Sequence, residues 1–165
     1  MQPSISYQRA LKSDPQIQKE LFLAFEFAHS ELRSLAPKDI LLFMGSRLES
    51  ILTFDACVFF LLNDAGSHLI AQYANGDCSN EVKNLSIPLE QKLSGWVAAN
   101  NQPLCNLPPF PDFLSAPDPK PQFALSGIAP LFRNGRVLGA ISVYRKEPVK
   151  FSEEDFRRLE LIASQ

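Results

Sequence analysis

Two segments in the second half of the chain constrain the fold more than anything else in the sequence. The first is Leu85-Ser-Ile-Pro-Leu-Glu-Gln-Lys-Leu-Ser-Gly-Trp-Val-Ala-Ala-Asn-Asn-Gln-Pro-Leu104, which reads as strand, turn, a short helix opened by Ser94-Gly95, and strand. The second is Ser126-Gly-Ile-Ala-Pro-Leu-Phe-Arg-Asn-Gly-Arg-Val-Leu-Gly-Ala-Ile-Ser-Val-Tyr144. There, Asn134-Gly135 separates two apolar runs, the strongest short-range signal for a β-hairpin. The second segment therefore reads as a strand, a hairpin turn and another strand.

The rest of the chain supplies the flanks. Asp14-Pro15 opens a helix to about residue 34, with an N-cap acceptor followed by proline at the first helical position. Its apolar residues, among them Ile17, Leu21, Phe22, Phe25 and Phe27, cover most of its girth, so it needs cover on more than one side. Pro37 to about Thr53 reads as a second helix. Asp55–Asn63 is a strand apolar on both faces, as expected in the middle of a covered sheet. Strands follow over 68–75 and near 82–88, then the short helix over about 93–101. Ser152 caps a final helix, 152–165, with Glu153, Glu154 and Asp155 well placed against its positive end. The chain divides into a polar lead-in, 1–13, and one domain over 14–165. Its last helix carries no stop signal and reads as continuing into a longer parent protein.

Residues 103–130 hold eight of the thirteen prolines (Pro103, Pro108, Pro109, Pro111, Pro117, Pro119, Pro121 and Pro130), and the middle of this stretch is expected to be irregular. It also carries Phe110, Phe113 and Phe123. Such a loop covers either core or a ligand cavity.

Composition removes several function classes. With a net charge of -2 the chain has no basic footprint for nucleic acid. Its longest apolar run, Ala56–Leu62, is too short to span a bilayer, and the N-terminus has no signal peptide. Cys57, Cys78 and Cys105 are odd in number and widely spaced, which argues against a disulfide framework or a zinc site and for a reducing, cytoplasmic setting. No carboxylate pair, triad or phosphate loop points to catalysis.

The two segments, with Phe151-Ser-Glu-Glu-Asp155 before the last helix, resemble the GAF family of small-molecule sensor domains over roughly residues 37–165. The resemblance implies an α+β fold with a GAF/PAS-like central antiparallel sheet of about six strands. Terminal helices would lie on one face, with the short helix and long loop over a ligand pocket on the other. It places Val58, Phe60, Tyr73, Leu93, Ser94, Trp96, Phe110, Phe113, Ser126 and Ile128 at that pocket, with the free amides of the short helix as an anion site. Departures narrow the class. Where cyclic-nucleotide binders have Asn-Lys, Phe and Asp-Glu, this chain has Tyr144-Arg145, Phe151 and Asp155-Phe156, with Arg145 able to pair with Asp155. No Cys-His suits a bilin. Ser94 stands where the reductases of free methionine sulfoxide carry a cysteine, and neither His29 nor His68 suits haem.

The resemblance therefore implies a bacterial, non-catalytic regulatory domain with an unidentified small-molecule ligand, and it names no cofactor. It would be homodimeric through its terminal helices and linked to an output domain, with neither nucleic acid nor membrane as a partner. Two alternatives are a ligand-free dimerisation scaffold and a thiol-based redox sensor or enzyme using Cys105. The thiol reading requires a pKa below the free value of about 8.5.

Overall fold

A computed structural model describes residues 36–83 and 85–164 of the chain. The lead-in and the helix expected over 14–34 lie outside the described residues. Leu41–Gln165 form one compact unit.

Helix α1 (Pro37–Ile51) buries Leu41, Gly45 and Leu48, spaced four and three residues apart and so on one face. Strands β1 (Ala56–Leu62) and β2 (His68–Gly76) follow, then a short β3 (Ser86–Pro88), helix α2 (Lys92–Asn100) and β4 (Leu104–Leu107). After the Pro-rich segment come β5 (Leu125–Arg133), β6 (Arg136–Arg145) and helix α3 (Glu153–Ala163). The strands form one six-stranded antiparallel sheet in the order β3-β2-β1-β6-β5-β4. This is the α+β architecture that the sequence implies.

The expected hairpin joins β5 to β6. Asn134 and Gly135 both take left-handed backbone angles, φ 50° and 75°, as the tight turn of a right-twisted ribbon requires. At the start of α3, Ser152 accepts from the Asp155 amide while the Asp155 carboxylate accepts from the Ser152 amide, a complete capping box.

Central strands β1 and β6 are buried on both faces, and residue parity divides the core in two. Val58 and Phe60 share one face with Ile128, Ala140 and Tyr144, covered by Val97 and Ala98 of α2 and by Phe113. Cys57 and Phe59 share the other with Ala129, Ile141 and Val143, covered by Leu41 and Leu48 of α1 and Leu159 and Ile162 of α3.

The third strand departs from the expected 82–88. Only Ser86–Pro88 pair with β2. Residues 77–83 wind instead into turns, with the Val82 amide donating to the Cys78 carbonyl at 3.1 Å, and this buries Cys78 and Val82 in the first core. The Pro-rich loop also contains a 3₁₀ turn, Phe110–Phe113. Proline at 109 and 111 pre-sets φ for such a turn, and the Asp112 amide closes it on the Pro109 carbonyl at 3.0 Å.

Candidate functional site

The site lies on the α2 face of the sheet, at the N-terminus of that helix. Gly95 lets α2 sit there: a Cβ at this position would stand 2.3 Å from the Pro88 carbonyl oxygen. The approach is tightly wound, with φ of 68° at Glu90 and 58° at Lys92, conformations that L-residues adopt at a cost. Gln91, at the N-cap position, makes no side-chain cap. The first turn of α2 would therefore present free amides, as the sequence implies.

Those amides are occupied by the chain itself. Asp112, from the 3₁₀ turn, accepts from the Leu93 amide (Oδ1, 2.8 Å), from the Ser94 amide (3.2 and 3.1 Å to its two oxygens) and from Ser94 Oγ (Oδ2, 2.5 Å). Ser94 Oγ also lies 3.0 Å from Ser142 Oγ on β6. Asp112, Ser94 and Ser142 are all fully buried. Tyr144, two residues along the same face from Ser142, is fully buried too. Among the described residues its hydroxyl has no hydrogen bond of ordinary geometry, although it lies close enough to Ser142 for that hydroxyl to favour its charged form. Beside this polar set, Phe113 packs on Tyr144 and Phe123 with ring centroids 5.1 and 5.9 Å apart, and Phe123 stacks on Tyr144 at 5.1 Å.

Burial pushes the Asp112 carboxyl above its ordinary value of 3.8, against the Ser94 hydroxyl, the two amides and Lys92, which favour its charge. Burial, and next the Asp112 charge, push the Tyr144 hydroxyl far above its ordinary range. Asp155 goes the other way. Burial alone would raise it, but the Ser152 amide and hydroxyl and the Arg145 guanidinium outweigh that and hold it below 3.8.

These opposite directions give a pH prediction. From 3.8 up to the raised Asp112 value, the folded chain holds a proton that the unfolded chain has released, so stability increases as pH falls through that window. Asp155 stabilises above 3.8, and its contribution disappears as pH falls through its depressed value. Urea midpoints across the acidic range are expected to rise and then fall. Asp112→Asn is expected to remove the rise and leave the fall, and an unchanged rise would assign it to another group.

The sequence-derived site residues divide accordingly. Val58, Phe60, Ser94, Phe113, Ser126 and Ile128 are buried on the α2 face, and half-buried Leu93 and Trp96 pack against the same core. Tyr73 is a correction. It lies directly opposite Phe59 in the β1–β2 ladder and so shares the helix face. Its ring meets Phe59 edge-on at 5.6 Å, and it lies so close to α1 that a Cβ on Gly45 would come within 2.7 Å of it. Phe110 is a second correction, at 57% exposed. The bonds of Asp112 turn residues 112–113 inward and leave the first residue of the turn at the rim. Ser126 faces the expected side, but its hydroxyl is taken by the Leu107 carbonyl at 2.8 Å.

Sequence reasoning missed Asp112, Ser142 and Tyr144 as members of the site. The available signals were a lone carboxylate within Phe110-Pro-Asp-Phe113 and a lone hydroxyl within the apolar Gly139-Ala-Ile-Ser-Val143.

The thiols are far from reactive. Burial pushes Cys57 and Cys78 up to about 12, and it also raises Cys105, opposite to what the thiol reading needs. Among the described residues no group of three or more His, Cys, Asp or Glu could hold a metal, and no helix is long and apolar enough to cross a membrane. An open groove of about 370 Å³ lies elsewhere, lined by Asn101, Pro103, Ala129, Pro130, Phe132, Glu160, Ala163 and Ser164, none of them a site residue expected from the sequence.

Residues 34–165 match the family description "GAF domain". No functionally curated protein matches the sequence. Among solved structures, the chain is similar to the GAF-B domain of DevS from Mycobacterium smegmatis (16% identity, TM-score 0.63, covering 78% of this chain and 88% of that one). It is also similar to the GAF domain of a two-component sensor histidine kinase from Bacillus halodurans (20%, TM-score 0.63, 79% and 90%). A third likeness is to a type II free methionine-R-sulfoxide reductase from Thermoplasma acidophilum (22%, TM-score 0.57, 84% and 89%).

Proposed function

The chain belongs to the GAF family, and on that premise we propose that it is a non-catalytic regulatory sensor domain. It reads a small molecule on the α2 face of the sheet and controls an output domain covalently linked to it, in the cytoplasm. The observation that carries this reading is the buried set Ser94, Ser142 and Tyr144 at the N-terminus of α2, within an otherwise apolar face. An apolar site with a few fixed polar anchors is the usual composition of a small-molecule site. The membership of a similar domain in a sensor histidine kinase supports the regulatory class.

Strand β6 supplies the transmission. Tyr144 faces the site, while the next residue, Arg145, binds the Thr53 carbonyl just after α1 and Asp155 in the first turn of α3. Arg158 of α3 donates to the Ile51 carbonyl at the end of α1. A ligand that shifts β6 therefore acts on both helices, and the domain forms a homodimer through its terminal helices, of which α3 is one. Exposed Leu161 on α3 suits that contact.

A second reading, a dimerisation scaffold without a ligand, draws on the occupation of the site by Asp112 and Phe113. A thermal-shift panel of nucleotides, amino acids, organic acids and aromatic metabolites separates the two. A ligand at a hundred times its dissociation constant adds about 2.7 kcal/mol, several degrees for a domain of this size. A shift that Ser94→Ala abolishes supports the sensor. No shift across the panel from a dimeric chain supports the scaffold.

A further inference from the structure

Resting on the sensor reading, we infer that the 3₁₀ turn Phe110–Phe113 is a built-in stand-in for the ligand, with Asp112 and Phe113 holding the places that the carboxylate and ring of a small aromatic carboxylic acid take when the turn moves away.

Four observations carry this. The first is the mode of capping. Helices are ordinarily capped by their own N-cap residue, but α2 is capped by a carboxylate from a different segment, 19 residues further along the chain. Both oxygens are used, and the donors, the Leu93 and Ser94 amides and the Ser94 hydroxyl, all belong to α2. Any carboxylate of the same reach satisfies them equally well.

The second is the incompleteness of the fit. Tyr144 has a fully buried hydroxyl near Ser142 with no hydrogen bond of ordinary geometry among the described residues, a costly state that Asp112 leaves unrelieved. A ligand with one more polar atom relieves it.

The third is the pairing of charge with ring. The residue after Asp112 places a phenyl ring 5.1 Å from the Tyr144 ring, so the segment delivers a carboxylate and an aromatic body together. No ion pair among the described residues includes Asp112, and Lys92 is turned to Ser115 at 3.0 Å. The site is thus built for one negative charge bound by neutral donors.

The fourth is the attachment of the segment. Among the described residues, every backbone–backbone hydrogen bond of residues 108–123 closes within the segment: Asp112 to Pro109, Leu114 to Pro111 and Ala116 to Phe113. Prolines at 108, 109, 111, 117, 119 and 121 have no amides to give to the sheet. The turn is held by its side chains, so it can leave without breaking a strand ladder.

A competitor inside the chain reduces apparent affinity by the fraction of molecules in which the site is open. Removing the carboxylate therefore exposes the preference of the site. The test is calorimetric titration of phenylacetate, and of 2-phenylethanol as the same body without the carboxylate, into the full chain and its Asp112→Ala variant. Phenylacetate is expected to bind the variant at least tenfold more tightly than it binds the native chain, and at least tenfold more tightly than 2-phenylethanol binds the variant. Asp112→Asn keeps the shape and one acceptor but lacks the charge, and it carries the same comparison, with a gain of threefold or more, if the alanine variant does not fold.

Equal phenylacetate affinity in native and variant chains, or binding to neither, overturns the inference. Equal affinity of the variant for 2-phenylethanol and phenylacetate also overturns it, because the site then selects the ring and not the acid, although the sensor reading survives. That reading fails on a separate result, the absence of binding by any member of the wider panel.

Discussion

Replacing Arg145 with Ala is expected to lower the unfolding free energy by about 2–3 kcal/mol, between the values for an exposed pair and for removing one partner of a buried pair. Exposed ion pairs are worth about 0–1 kcal/mol, and from the sequence alone Arg145–Asp155 reads as such a pair. The structure places it otherwise: the two side chains are only 12% and 21% exposed, and they meet at 3.3 Å. The guanidinium also donates to the Thr53 carbonyl through Nε and Nη2 (3.1 and 2.9 Å) and to the Val149 and Lys150 carbonyls through Nη1 (3.2 and 2.9 Å). It lies 4.0 Å from the centre of the Phe151 ring. One side chain thus joins the exit of α1, the linker before α3 and the first turn of α3. Truncation leaves three carbonyls and a carboxylate short of donors in partly dry surroundings. Arg145→Lys keeps the charge, but a single ammonium cannot span these acceptors, so less than half of the loss is expected to return. Urea unfolding reads both variants as a shifted midpoint at constant slope. A loss under about 1 kcal/mol for Arg145→Ala would reduce the cluster to a surface pair.

The outline of the fold was legible because its signals are local. Asn134-Gly135 needs only its own backbone preference, Ser152 and Asp155 cap within one turn, and the doubly apolar Ala56–Leu62 can only be central. The candidate site was legible where period two suffices: Val58 and Phe60, or Ser126 and Ile128, necessarily share a face. Tyr73 was placed at the pocket by resemblance alone, and the register shift of the β1–β2 ladder between Phe59 and Phe60, which leaves Tyr73 opposite Phe59 on the helix face, has no signal in the sequence. Asp112 was invisible as a capping residue because its partners lie 18 and 19 residues away, and no periodicity links a proline-rich turn to a helix start. The free amides expected at Leu93 and Ser94 are there, and what the sequence could not reveal is that Asp112 of the same chain accepts from them.

Phe113→Ala is the largest perturbation expected within the site, at about 3–5 kcal/mol for loss of a buried phenyl ring. Phe113 is fully buried and wedged between Phe123 and Tyr144. Neither neighbour can readily close the gap. Tyr144 is fixed by the ladders of β6 with β1 and β5, and Phe123 is already stacked on it at 5.1 Å. The variant should therefore keep an apolar hole beside a polar anchor that remains occupied, since Asp112 still caps α2. Apolar cavities of this kind stay dry and accept benzene-sized molecules. Toluene is accordingly expected to raise the melting temperature of Phe113→Ala and leave the native chain unchanged. Phenylacetate should do less than toluene in this variant, because the carboxylate position is still filled. That order is the reverse of the one expected for Asp112→Ala, so the two variants separate the place of the ring from the place of the charge. A loss below about 2 kcal/mol, under the range for a packed phenylalanine, together with no response to toluene, would mean that the Pro-rich segment only rests on the sheet and has no pocket beneath it.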